Sequence, residues 1–125
     1  FLSETIKQIK DAGIRVSLFI DPDKDRIYAA KECGADRIEF YTGPYAHQFH
    51  KDKNAAIAPF VEAAQFANSI GIGINAGHDL NLDNLRFFKE NIPNLLEVSI
   101  GHAVICDAIY LGLKNTIQLY LRELE

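Results

Sequence analysis

Along the chain, short apolar runs of β type alternate with stretches in which apolar residues recur three and four positions apart. The runs predict strands over 15–20, 37–41, 71–75 and 96–100, and the periodic stretches predict helices over 2–12, 24–33, 54–70, 82–90 and 102–124. Gly13, Gly34 and Gly71 follow the ends of the first, second and third helices, as capping glycines do. The strands read as nearly continuous apolar runs (Val16, Leu18, Phe19, Ile20; Leu96, Val98, Ile100) rather than strict alternations. That pattern belongs to strands covered on both faces, which favours a parallel α/β sheet. Right-handed crossovers then bring every strand's C-terminal end to one side. No linker or low-complexity tract divides the chain, so residues 1–125 read as one α/β unit.

Composition narrows the function classes. With 13 basic and 17 acidic residues the net charge is −4, which gives no electrostatic footprint for nucleic acid or an anionic membrane surface. A hydrophobic content of 48% is enough for an ordinary core and argues against disorder. No apolar run approaches the roughly 18 residues of a membrane span, and Phe-Leu-Ser-Glu-Thr-Ile-Lys carries charge where a signal peptide would be apolar. Two cysteines, Cys33 and Cys106, are too few for a disulfide scaffold, so a reducing cytoplasm is expected. No Met occurs, even at position 1, and the expectation is a chain that begins further upstream.

In α/β folds chemistry collects where strands hand over to helices. Asp21, Asp23, Asp25 and Glu32 match positions 1, 3, 5 and 12 of a calcium loop, but position 6 is Arg26 instead of glycine and a strand precedes the run. A helix N-terminus capped by an aspartate is the expected reading. Gly71, Gly73 and Gly77 begin before the strand and lack the spacing of a dinucleotide fingerprint. His47 and His50 stand in what reads as a long loop from Gly43, with no acidic or cysteine partner at metal-ligand spacing. Cys33 and Cys106 have no base at a recognisable spacing and read as small buried thiols.

Three positions carry more. Glu39 lies inside the apolar run Arg37-Ile-Glu-Phe-Tyr41, where a carboxylate is costly unless paired or used. Strand alternation puts Ile38 and Phe40 on one face and Glu39 on the other with Arg37 and Tyr41. Glu39 is therefore either an acid, base or cation stabiliser, or half of a salt bridge to Arg37 or another basic side chain. His78 follows Asn75-Ala-Gly77, a turn with no bulky side chain to shield the ring, and is either a surface histidine or a proton relay. His102 follows Gly101 at a strand-to-helix junction, which is either a plain capping turn or a phosphate cradle.

At these junctions the sequence resembles the C-terminal half of the pyridoxine 5′-phosphate synthase family. The resemblance rests on Ala12-Gly-Ile-Arg-Val-Ser-Leu-Phe-Ile-Asp21, Ile38-Glu-Phe-Tyr-Thr-Gly-Pro-Tyr-Ala46, Ile74-Asn-Ala-Gly-His78, Glu97-Val-Ser-Ile-Gly-His102-Ala and Leu111-Gly-Leu113. It is collinear over essentially the whole chain. It implies a TIM (β/α)₈ barrel of which this chain supplies about the last four units, half of the roughly 250 residues typical of the fold. It also implies a homo-octamer built from dimers. The implied reaction condenses 1-deoxy-D-xylulose 5-phosphate with 3-amino-2-oxopropyl phosphate, releasing inorganic phosphate and water, with no metal or organic cofactor. Carried over by position, Glu39 stabilises a transition state, His78 donates a proton, and Asp79, Gly101 and His102 bind substrate. Asp79 departs from the pattern, since many members have glycine after the histidine. The family's other acid–base residues fall in the first half of the barrel, so these 125 residues alone are expected to be inactive. The alternatives are another phosphate-binding barrel, an isomerase or aldolase, and a non-catalytic half-barrel.

Overall fold

The computed structural model describes residues 1–125. Helix α1 (Leu2–Asp11) leads into β1 (Ser17–Ile20), α2 (Lys24–Glu32) and β2 (Arg37–Tyr41). Then come α3 (Gly43–Phe49), α4 (Lys53–Ser69), β3 (Gly73–Gly77), α5 (Leu85–Asn91), β4 (Leu95–Ser99), α6 (His102–Leu111) and α7 (Leu113–Glu123). The four strands lie side by side in chain order and every pair is parallel. The α/β class and the parallel sheet are thus as expected.

One face of the sheet is dry. Ile38, Phe40, Ile74 and Ala76 are fully buried beneath Ile27 of α2, Phe60, Ala63, Ala64 and Ala67 of α4, and Leu85 and Phe88 of α5. Alanines on α4 let its backbone approach the strands closely, and aromatic edges fill the remaining space: the Phe40 and Phe60 rings meet edge-on at 5.9 Å. In β2 Ile38 and Phe40 are buried and Arg37, Glu39 and Tyr41 half-buried, the two-residue alternation expected.

Glycines end the helices as expected. Gly13, Gly34 and Gly71 take φ of +78°, +89° and +69°, a left-handed turn that would strain a side chain. Asp23 is the N-cap of α2 and accepts from Arg26 N–H at 2.9 Å, while Asp21 pairs with the Arg26 guanidinium at 3.1 Å. The acidic run therefore serves the helix start.

Several boundaries differ from expectation. Residues 43–49 form helix α3 rather than a loop, because Tyr45 packs fully buried against Phe49, Phe60 and Phe88. Pro44 stands in its first turn, where a missing N–H costs nothing. The single helix expected over 102–124 is two, broken at Gly112 (φ 77°, ψ 140°). The α6–α7 pair is tied by Tyr120, whose hydroxyl donates to Asp107 at 2.7 Å. Strand β3 begins two residues late, since pairing of Arg37 with Gly73 through Tyr41 with Gly77 sets its register, leaving Gly71 in the turn. Helix α5 starts at Leu85, after a turn in which Asn81 and Asn84 exchange side-chain bonds with backbone N–H groups. Cys106 is exposed on α6, not buried as expected, and Cys33 is half-buried at the end of α2. No helix is long and apolar enough to cross a membrane.

Candidate active site at the strand ends

The face of the sheet turned away from the helices is polar, and its chemistry is layered by register. Nearest the strand starts, the guanidinium of Arg37 donates to Glu97 and to Asn75 Oδ1 (3.2 Å), and Arg15 pairs with the same Glu97 carboxylate at 2.7 Å. Two cations thus share one acid. Arg37 is engaged there and does not pair with Glu39. The Glu39 carboxylate has one hydrogen-bond contact, a long one from Ser99 Oγ at 3.4 Å, and no ion pair. It lies over Gly77, where an added Cβ would collide with Oε1. A half-buried carboxylate with free acceptor capacity can accept a proton or stabilise a neighbouring cation.

His78 leaves the end of β3 directly beyond Gly77. Its backbone takes φ +91° and that of Asp79 φ +58°, conformations uncommon outside glycine and typical of functional turns. Asp and Asn tolerate the left-handed region better than other residues, which explains how aspartate can stand where the resemblance led to an expectation of glycine. The left-handed backbone also folds the Asp79 carboxylate back onto His78: Oδ2 lies 3.0 Å from Nδ1. Nδ1 thus faces that carboxylate, and Nε2 is the ring nitrogen turned away from it. The Tyr41 ring meets the imidazole edge-on at 4.8 Å, so His78 is supported on two sides while its side chain stays half-exposed.

The turn is clamped from below. Thr42 N–H and Oγ1 both donate to the Gly77 carbonyl (2.9 and 2.8 Å), and Oγ1 also contacts the His78 carbonyl. Asn84 Nδ2 donates to the Asp79 carbonyl at 3.2 Å, and Asn84 itself is held by Tyr45, whose hydroxyl donates to its carbonyl at 2.7 Å. Burial pushes the Tyr45 phenol well above its ordinary range, so it remains a donor.

Beside this turn, Asp79, Leu80, Asn81, Ile100, Gly101, His102 and Ala103 line a cleft of about 200 Å³. Its floor is the N-terminus of α6, which has no side-chain cap, so its first N–H groups are open to a ligand. A Cβ at Gly101 would meet nothing within 4 Å, so the room above Gly101 is left by the chain itself. The structure therefore brings Glu39, His78 and Asp79 to one end of the sheet, with the Gly101-His102 junction across the cleft from Asp79. His47, on α3, and His50, at its end, are exposed and line no part of this cleft.

The family described as Pyridoxal phosphate biosynthesis protein PdxJ matches residues 1–125, the whole chain. The chain belongs to the PdxJ family. It is 62% identical over 125 residues to a pyridoxine 5′-phosphate synthase of Cytophaga hutchinsonii, covering 100% of this chain and 52% of that protein. Against the synthase of Flavobacterium johnsoniae the identity is 54% over 125 residues, covering 100% of this chain and 53% of the relative. Against that of Parabacteroides distasonis it is 58% over 120 residues, covering 96% and 50%. The chain thus spans about half the length of the curated relatives it matches.

Within this PdxJ-family chain, sequence reasoning missed Thr42, Tyr45 and Asn84. Each is buried and polar; Thr42 and Tyr45 bond to backbone carbonyls 35 and 39 residues away, and Asn84 to that of Asp79, five residues before it. The only local signal was chemical: polar groups inside apolar surroundings need a partner.

Proposed function

We propose that this chain is the C-terminal half of a pyridoxine 5′-phosphate synthase. The observation that carries the reading is the gathering of Glu39, His78 and the α6 cleft at the C-terminal end of one parallel sheet, in a chain the PdxJ family matches throughout. The four strands would be continued by four more into a closed TIM barrel, and the polar face bearing Glu39 would become its interior. The assembled protein would be a cytoplasmic homo-octamer.

The substrates are 1-deoxy-D-xylulose 5-phosphate and 3-amino-2-oxopropyl phosphate, and the products pyridoxine 5′-phosphate, inorganic phosphate and water. Attack of the amine on the ketone passes through cationic carbinolamine and imine species. Glu39, whose carboxylate has no cation of its own, stabilises that positive charge. His78 delivers a proton from Nε2 to a departing hydroxyl or phosphate, and Asp79 holds the opposite nitrogen. The phosphate of the aminooxopropyl substrate sits over Gly101 and His102, on the N–H groups that open α6. The C–N and C–C bonds that close the ring form as water and phosphate leave, so no external oxidant or reductant is called for.

Full-length protein incubated with the two phosphorylated substrates should form pyridoxine 5′-phosphate and release inorganic phosphate in equal amount, measured by chromatography and phosphate assay. His78→Ala should abolish most of that turnover. Absence of product from the folded wild-type protein would overturn the assignment.

A further inference from the structure

We infer that Thr42 is a positioning residue for His78, acting through the backbone of the turn that carries the imidazole; this rests on the synthase reading given above. Thr42 is the N-cap residue of α3, where a threonine hydroxyl ordinarily accepts from an N–H of its own helix. Here it makes no such bond. The side chain is fully buried and its Oγ1 reaches across to β3 instead, donating to the Gly77 carbonyl at 2.8 Å and contacting that of His78. The helix has forgone its cap in favour of the neighbouring strand end.

The geometry explains the exchange. Register pairing of β2 with β3 runs out at Tyr41 and Gly77, and the Thr42 N–H supplies one last ladder bond to the Gly77 carbonyl at 2.9 Å. One residue further the chain turns left-handed at His78, with φ +91°, where no strand partner can follow. The hydroxyl, sharing its one proton between the Gly77 and His78 carbonyls, extends the ladder by that one residue. Without it the His78 carbonyl loses its contact with Thr42, and the strained φ relaxes toward ordinary values. Such relaxation swings the Cα–Cβ bond, moving the imidazole off Tyr41 and Asp79.

The test is a double-mutant cycle in the full-length enzyme, with kcat and KM measured for both substrates and folding followed by thermal melting. Thr42→Val keeps the shape and removes the hydroxyl; kcat should fall at least about tenfold, with KM changing much less. Thr42→Ser keeps the hydroxyl and should retain kcat within about threefold of wild type. In a His78→Ala background, Thr42→Val should cost less than about twofold more, since there is no imidazole left to position. Equal losses from Thr42→Ser and Thr42→Val, or an undiminished loss in the His78→Ala background, would overturn the assignment. Where Thr42→Val yields no folded protein, a Thr42→Ser kcat below about a tenth of wild type still overturns the assignment. Full activity of His78→Ala itself is a different result: it removes the role of His78 and, with it, that of Thr42.

Discussion

The carboxylate of Glu39 occupies the space that a side chain at Gly77 would need: a Cβ there collides with Oε1 and stands 3.1 Å from Cβ of Ser99. Gly77 pairs in register with Tyr41, and the Glu39 carboxylate, two residues back along β2, leans over it, so a side chain there would force the acid to move. The obstructing atom is the end of a flexible side chain, so Gly77→Ala should fold and displace the carboxylate. In the full-length enzyme we expect turnover to fall about tenfold or more, with a melting temperature only a few degrees lower. Wild-type turnover from a folded Gly77→Ala protein would mean that the position of Glu39 does not matter.

Asp79 makes a complementary case. Its φ of +58° suits glycine, asparagine and aspartate, so Asp79→Gly and Asp79→Asn should fold normally. Both remove the carboxylate that faces His78 Nδ1, and kcat should drop severalfold, far less than for His78→Ala or His78→Gln. Asp79→Val should be worse in stability, because a β-branched residue fits that backbone poorly. Steady-state kinetics beside thermal melts separate the two effects.

Gly101 leaves its space to the cleft rather than to the chain, so Gly101→Ala should leave stability unchanged. A methyl group over the start of α6 should weaken phosphate binding, raising KM for 3-amino-2-oxopropyl phosphate severalfold or more. Its effect on KM for the other substrate should be small. An equal rise for both substrates would place the phosphate elsewhere.

Tyr45→Phe removes the donor to the Asn84 carbonyl inside the core. An orphaned buried carbonyl costs about 1–3 kcal/mol, measurable by denaturant unfolding of the full-length protein. The Asp79–Asn84 turn should loosen with it, visible as faster amide hydrogen exchange over those residues.

Asp36 offers a pH test. Its carboxylate takes a hydrogen bond from Lys10 and one from Val16 N–H, at 2.8 Å each, and these hold its pKa below the ordinary 3.8. A lowered folded-state pKa stabilises the fold at pH values above the unfolded one, and that contribution fades as pH falls through the folded value. Asp36→Asn should therefore destabilise the protein modestly at neutral pH and hardly at all at strongly acidic pH. Unfolding curves at pH 7 and in strong acid check the sign.

How much of this was legible in the sequence can be judged residue by residue. The β–α alternation, the parallel sheet and the three capping glycines followed from periodicity and from backbone preference, both local properties. The two-faced character of β2 followed as well, because alternation along one strand assigns Glu39 to the face opposite Ile38 and Phe40. Helix α3 did not follow. Its seven residues are helical because Tyr45 finds a pocket among Phe49, Phe60 and Phe88, and no window of its own sequence contains that pocket.

The candidate site divides along the same line. The sequence by itself picked out Glu39, His78, Asp79, Gly101 and His102, since unusual residue types at strand ends are visible without coordinates and the family motifs match there. Only the tertiary structure decided whom those residues meet: that Arg37 pairs with Glu97 and leaves Glu39 free, that Asp79 turns back onto His78, and that Thr42 and Asn84 hold the turn. Partner choice depends on strand register and on backbone dihedrals near residue 78, which are set by contacts between segments 20 to 60 positions apart. Residue type fixes what a group can do chemically; the packing of distant segments fixes what it is left free to do.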